Sequence, residues 1–145
     1  MLRALLFLAT VGLVACGKGP EKQEIDGWLK EKAEGSDTFR LTEFEPGPWD
    51  RVVIISPYPD WDGIADSASV AMPSELREAM DMNDGDCAVA FAEGDKIVGW
   101  ALASRGVADF DALAGRCVPR AEASFEVKIR RSDQWKVVVL AAIGT

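Results

Sequence analysis

The chain has 145 residues, with 16 Lys and Arg against 24 Asp and Glu, for a formal charge of −8. That acidic balance argues against nucleic acid or anionic headgroups as a broad-surface partner. Histidine is absent, which excludes Ser-His-Asp and Cys-His nucleophile systems and histidine metal sites.

The first segment carries one basic residue, Arg3, and then an uncharged run from Ala4 to Cys16. A membrane span needs about 20 apolar residues. This run is shorter and stops at Gly17-Lys18-Gly19-Pro20. A basic start, a short apolar stretch and small residues at its end are features of a signal peptide. Leu13-Val14-Ala15-Cys16 resembles the lipobox of bacterial lipoproteins, position by position. The resemblance implies a diacylglyceryl group on the Cys16 sulfur, cleavage before Cys16 and acylation of the new N-terminus. The alternative is an ordinary secretory signal with a chance cysteine, for which Leu13 is bulky. Two or three acyl chains would hold a membrane, where a single chain binds only marginally. Gly17 stands where Asp marks inner-membrane retention. The same resemblance therefore implies the outer membrane, facing the periplasm, in a diderm organism.

On this reading residues 1–15 are a removed signal peptide. Residues 16–24 are the lipidated cysteine and a short tether, and residues 25–145 form a single globular domain. Loss of Arg3 takes the formal charge to −9. The acids are spread along the chain, which reads as solubility.

Ile25, Trp28, Leu29 and Ala33 recur at helical spacing, and Gly35 marks a stop. From Asp37 the period changes to two, so 38–44 reads as a strand. Glu45-Pro46-Gly47-Pro48 is a loop. Arg51 to Ser56 is apolar on both faces, the mark of a central, covered strand. Pro57 to Gly63 is an extended bend. Residues 64–82 read as a helix in two pieces, the second opening at Pro73. Asp81 to Asp86 is a turn.

Cys87–Glu93 and Lys96–Ser104 flank Gly94-Asp95, a two-residue hairpin signal. That register pairs Phe91 with Val98, Val89 with Trp100 and Cys87 with Leu102. It predicts one face of large residues and one of small ones, and a slip of one residue would mix them. Ala108 to Gly115 reads as a short helix with Asp109 as a cap. The last 22 residues form a second hairpin, with Ile129 opposite Trp135 and Val127 opposite Val137. The sum is the α+β class: a single antiparallel or mixed sheet of five or six strands in consecutive hairpins, with helices packed on one face.

With Cys16 lipidated, Cys87 and Cys117 remain as a pair. An oxidising compartment permits a disulfide between them. Two buried free thiols are the other reading.

Tyr58, Asp60, Trp61 and Asp62 lie at the end of the central strand and are candidate ligand-facing residues. Two acids beside an indole suit a cation, a sugar or a basic peptide. Helix capping by the acids and core cover by Trp61 is the plainer account. Asp81-Met82-Asn83-Asp84-Gly85-Asp86 fails the EF-hand spacing, with Met80 and Met82 at ligand positions. Asp109 and Asp111 are acids that would serve glycoside hydrolysis, though no spacing selects a pair. No metal site and no cofactor is called for.

Trp49-Asp50-Arg51-Val52 through Pro57-Tyr58, with Arg105 and Asp109-Phe110, resembles segments of small uncharacterised bacterial lipoproteins. That resemblance brings no activity with it. The expected function is a binding or structural role in the cell envelope, not catalysis. The membrane is met through Cys16, and an envelope protein or glycan is the expected partner. The alternatives are a carboxylate-dependent hydrolase acting on envelope glycans, or a calcium-binding module.

Overall fold

The computed structural model describes residues 20–35 and 38–142. The expected signal peptide, residues 1–15, and Cys16 lie outside the described residues. No described helix is long and apolar enough to cross a membrane.

The elements run in order as β1 (Glu21–Glu24), α1 (Asp26–Gly35), β2 (Thr38–Arg40), α2 (Leu41–Phe44), β3 (Arg51–Ile55), α3 (Trp61–Ala68) and α4 (Ser74–Met80). They continue as β4 (Asp86–Glu93), β5 (Lys96–Ser104), a 3-10 turn at Asp111–Leu113, β6 (Cys117–Pro119), a 3-10 turn at Arg120–Glu122, β7 (Ser124–Ile129) and β8 (Lys136–Leu140). The class is α+β, as expected. The single sheet is not: the strands divide into a five-stranded mixed sheet, β1-β5-β4-β3-β6, and a three-stranded sheet, β2-β7-β8.

The division has a local cause. After β6, Arg120 bends the chain away, donating from Nη1 to the carbonyls of Gly47 (2.8 Å) and Trp49 (3.2 Å). Its guanidinium also covers the Trp49 ring at 4.5 Å. Leu41 N–H then donates to the Ala123 carbonyl at 3.2 Å, so β2 joins β7 rather than the large sheet.

β3 is central, as the sequence predicts. Val52 and Ile54 face one core and Val53 and Ile55 the other, all fully buried. The first core lies between the two sheets and takes in Ile25 and Leu29 beside and within α1. Phe39, Phe110 and Phe125 meet there, with centroids 5.6–6.3 Å apart. Such aromatic pairs contribute about 0.5–1.5 kcal/mol each beyond their burial. The second core seats Ala68, Leu76 and Met80 of α3 and α4 on the opposite face. Helices therefore cover both faces of the large sheet, which corrects the one-sided arrangement. A sheet whose central strand is apolar on both sides needs two covers.

Four further expectations change. Glu21–Glu24, read as part of the tether, form an edge strand parallel to β5, with Glu21 opposite Gly99. The strand expected over 38–44 stops at Arg40, and Leu41–Phe44 makes a single helical turn. That turn buries Leu41 and sets Phe44 against Trp28 (5.3 Å) and Phe91 (6.2 Å). The helix expected over 108–115 is only the turn at Asp111–Leu113. In the second hairpin Ile129 pairs with Lys136 and Val127 with Val138, one residue beyond the expected register.

The central hairpin shows how one residue alters a pattern. Glu93 pairs with Lys96 and Ala92 with Ile97, as a two-residue turn requires. Val98 is then an extra residue, and Phe91 pairs with Gly99. Beyond this bulge the β5 faces are exchanged. Phe91, Val89 and Cys87 share a core with Ala101 and Ala103, while Trp100 crosses to the side of Ala88, Ala90 and Ala92. Each face now sets large residues beside small ones, which fills both cores evenly.

Candidate functional site

At one end of the large sheet, β4 begins and β5 finishes. Arg105 N–H donates to the Gly85 carbonyl at 2.9 Å and closes that end. A cleft of about 600 Å³ opens there, between the Asp84-Gly85 turn, the segment 105–112 and the β7–β8 loop.

Asp109 forms its floor. It is the only charged residue buried among those described, at 6% exposure. Its backbone is sewn to β8: Asp109 N–H donates to the Lys136 carbonyl and Val138 N–H donates to the Asp109 carbonyl, both at 2.8 Å. Its carboxylate accepts from Arg105 Nε at 3.1 Å (Oδ1) and Arg105 Nη2 at 3.3 Å (Oδ2). It also accepts from the Asp111 N–H at 3.0 Å (Oδ1) and from Trp135 Nε1 at 2.7 Å (Oδ2). Asp109 is not the cap the sequence predicts, since Phe110 holds the N-cap position of the 3-10 turn with no side-chain cap bond; the Asp111 N–H and three side-chain donors reach its carboxylate instead. The Trp135 carbonyl accepts from the Arg130 N–H at 2.8 Å, so the hairpin loop is the four residues 131–134, one more than expected, and the register moves by one.

Burial opposes the charge on Asp109. The hydrogen bonds from Arg105, Trp135 and the Asp111 backbone outweigh it and hold the carboxyl below the usual aspartate range. Asp109 is therefore an anchored anion, not a proton donor. A glycosidase acid requires the opposite shift.

The rim carries paired ions. Arg130 binds Asp133 through Nε at 3.0 Å and through Nη2. Arg105 Nη2 lies 3.8 Å from Asp111 Oδ2. Asp84, Asp109, Asp111 and Asp133 outnumber Arg105 and Arg130 along the lining, so the cleft is acidic. Trp135 and Val137 supply its apolar surface. Among the described residues no group of three or more Cys, Asp or Glu is placed to hold a metal ion.

The candidate residues at 58–62 lie elsewhere. Tyr58 is 77% exposed, at φ 58°. Asp60 caps α3, accepting from the Gly63 N–H at 3.2 Å. Trp61 rests against the second core under the Arg77 guanidinium, 5.5 Å from its ring. Asp62 lies in the first turn of α3. None of the four lines the cleft. The Asp81–Asp86 segment is a turn closed by Asn83, whose Nδ2 donates to Asp86 Oδ2 at 3.0 Å.

The cysteine pairing is corrected. Cys87 and Cys117 are free. Cys87 sits on β4 and Cys117 on β6, with β3 between them. Two strand spacings make about 9.6 Å, and Cα atoms beyond about 7 Å cannot be bridged without moving backbone. The two residues also border opposite cores. Cys87 Sγ lies 3.9 Å from Asp109 Oδ1 and 4.0 Å from Ser56 Oγ. Burial pushes its thiol up to about 11, so it is no nucleophile near neutral pH.

Sequence reasoning named Arg105, Asp109 and Asp111 but did not join them to Arg130, Asp133 and Trp135. One signal was available: Asp109 stands between Ala108 and Phe110, both fully buried, four residues after an arginine. Comparison with known protein families, curated proteins and solved structures finds no match for this chain.

Proposed function

We propose that the chain is a bacterial envelope lipoprotein, acylated at Cys16, whose domain has a binding or structural role in the envelope. The observation that carries this reading is Leu13-Val14-Ala15-Cys16 at the end of the uncharged run from Ala4. The start of β1 at Glu21, five residues beyond Cys16, fits an anchor set close to a folded domain. Gly17 favours the outer membrane in a diderm cell.

The cleft around Asp109 is the candidate binding surface. Its floor is fixed by four donors on one carboxylate, and its rim offers charged groups and an indole. A preorganised polar surface of this kind binds without first paying to order its side chains. An envelope protein or glycan is the proposed partner.

Metabolic labelling with a tagged fatty acid tests the anchor. The intact chain takes up label and sediments with membranes, while Cys16→Ala takes up none. Label on the Cys16→Ala variant, or none on the intact chain, would overturn the reading. A photo-crosslinker at Ala112, on the cleft wall, tests the surface: a discrete adduct in cells supports it, and adducts no different from those at exposed Glu78 count against it.

A further inference from the structure

Pro20 and the start of β1 sit at one end of the large sheet. Pro20 borders a shallow cavity with Ala71, Pro73, Asp95 and Lys96. Glu21 pairs with Gly99, near the start of β5. The cleft lies at the other end, where Arg105 follows β5 and Gly85 precedes β4. From Ile97 to Arg105 is eight residue steps, or about 26 Å of strand. Only four steps join Cys16 to Pro20. Whatever path they take, those Cα atoms are at most about 14 Å apart.

The geometry points to a fixed polarity on the membrane: the Gly94-Asp95 turn and the start of α4 face the anchoring bilayer, and the Arg105–Asp109–Trp135 cleft faces away from it. This rests on the acylation of Cys16. The cleft then meets a hydrophilic partner from the aqueous side, not a lipid of its own leaflet. Its lining agrees, since Asp84, Asp111, Arg130 and Asp133 present charge where a lipid tail needs apolar surface.

The test uses the acylated protein, purified from cells and reconstituted into phosphatidylethanolamine–phosphatidylglycerol vesicles. A donor dye is placed at Asp95→Cys or at Asp133→Cys, on a Cys117→Ser background with Cys87 buried. The acceptor is a headgroup-labelled lipid. Energy transfer should be the stronger from position 95, placing it about 20 Å nearer the surface than position 133. Equal transfer, or stronger transfer from 133, overturns the polarity while leaving the anchor intact, because the protein still sediments with vesicles. Protein that does not sediment overturns both. Lys96→Cys and Ala112→Cys form a second pair for use if either first variant fails to fold.

Discussion

Trp135 reaches from the β7–β8 loop and donates its indole N–H to Asp109 Oδ2 at 2.7 Å. This one bond ties the small sheet's hairpin loop to a buried anion beneath the end of the large sheet. Trp135→Phe keeps an aromatic ring and removes the donor. The expected loss is about 1–2 kcal/mol in urea denaturation. Asp109→Ala strands Arg105 as well and should cost about 3–5 kcal/mol. A Trp135→Phe midpoint equal to that of the intact chain would show that the bond contributes nothing.

Acid should weaken the fold through the same carboxylate. The folded pKa of Asp109 lies below the ordinary 3.8, so the unfolded chain takes up the proton first as pH falls. Its stabilisation is whole above about pH 5 and is lost as pH drops through 3.8 toward the lower folded value. Asp50 shifts the same way, through the Gly94 backbone N–H and Arg51. Denaturation midpoints measured from pH 6 down to about pH 3 should fall in the intact chain. Asp109→Asn should start lower and fall less steeply. A parallel decline in both would remove Asp109 as a source of the pH dependence.

The thiols should behave as two separate groups. Unfolded under non-reducing conditions, the chain should yield Cys87 and Cys117 as independently alkylated peptides. A reductant should leave the melting temperature unchanged. In the folded protein at pH 8, Cys87 should react far more slowly than in the unfolded chain, given its burial and a thiol pushed up to about 11. A linked Cys87–Cys117 peptide in mass spectrometry would contradict the strand order.

Gly94 tests the hairpin turn. It adopts φ +60° with open space around its missing Cβ. Gly94→Ala therefore adds backbone strain without a clash, and should cost about 1 kcal/mol. Its N–H donates to Asp50 Oδ2 at 2.8 Å and its carbonyl accepts from Arg51 Nη2 at 2.7 Å. A Gly94→Ala chain as stable as the intact one would mean that the turn relaxes despite both contacts.

The sequence disclosed what depends on local pattern. The apolar run of β3 announced a strand covered on both sides, and Gly94-Asp95 announced the central turn. It did not disclose what depends on distant partners. Val98 looks like any alternating residue until the core beyond it is packed, and only volume on the two faces favours the bulge. The turn at Leu41–Phe44 exists because Phe44 finds Trp28 and Phe91, contacts that no neighbour in sequence reveals. The cleft was half legible for the same reason. Asp109 and Arg105 are four residues apart, but Trp135 joins them from 26 residues away. The cysteines illustrate the converse. Counting made them a pair, and strand order separates them.

β1 has a mechanical consequence. It is joined to β5 along four paired positions, Glu21 to Glu24, and runs parallel to it. With Cys16 held in a bilayer, a partner pulling on the far end of the domain would load β1 along its own axis. The bonds between β1 and β5 would then be strained in shear, all together, rather than peeled one by one. Asp26 adds a fastening beyond the strand, accepting the Ser104 N–H at 2.8 Å. On the proposed acylation of Cys16, this short edge strand would act as a force-bearing clasp, spreading tension into the sheet before it reached either core.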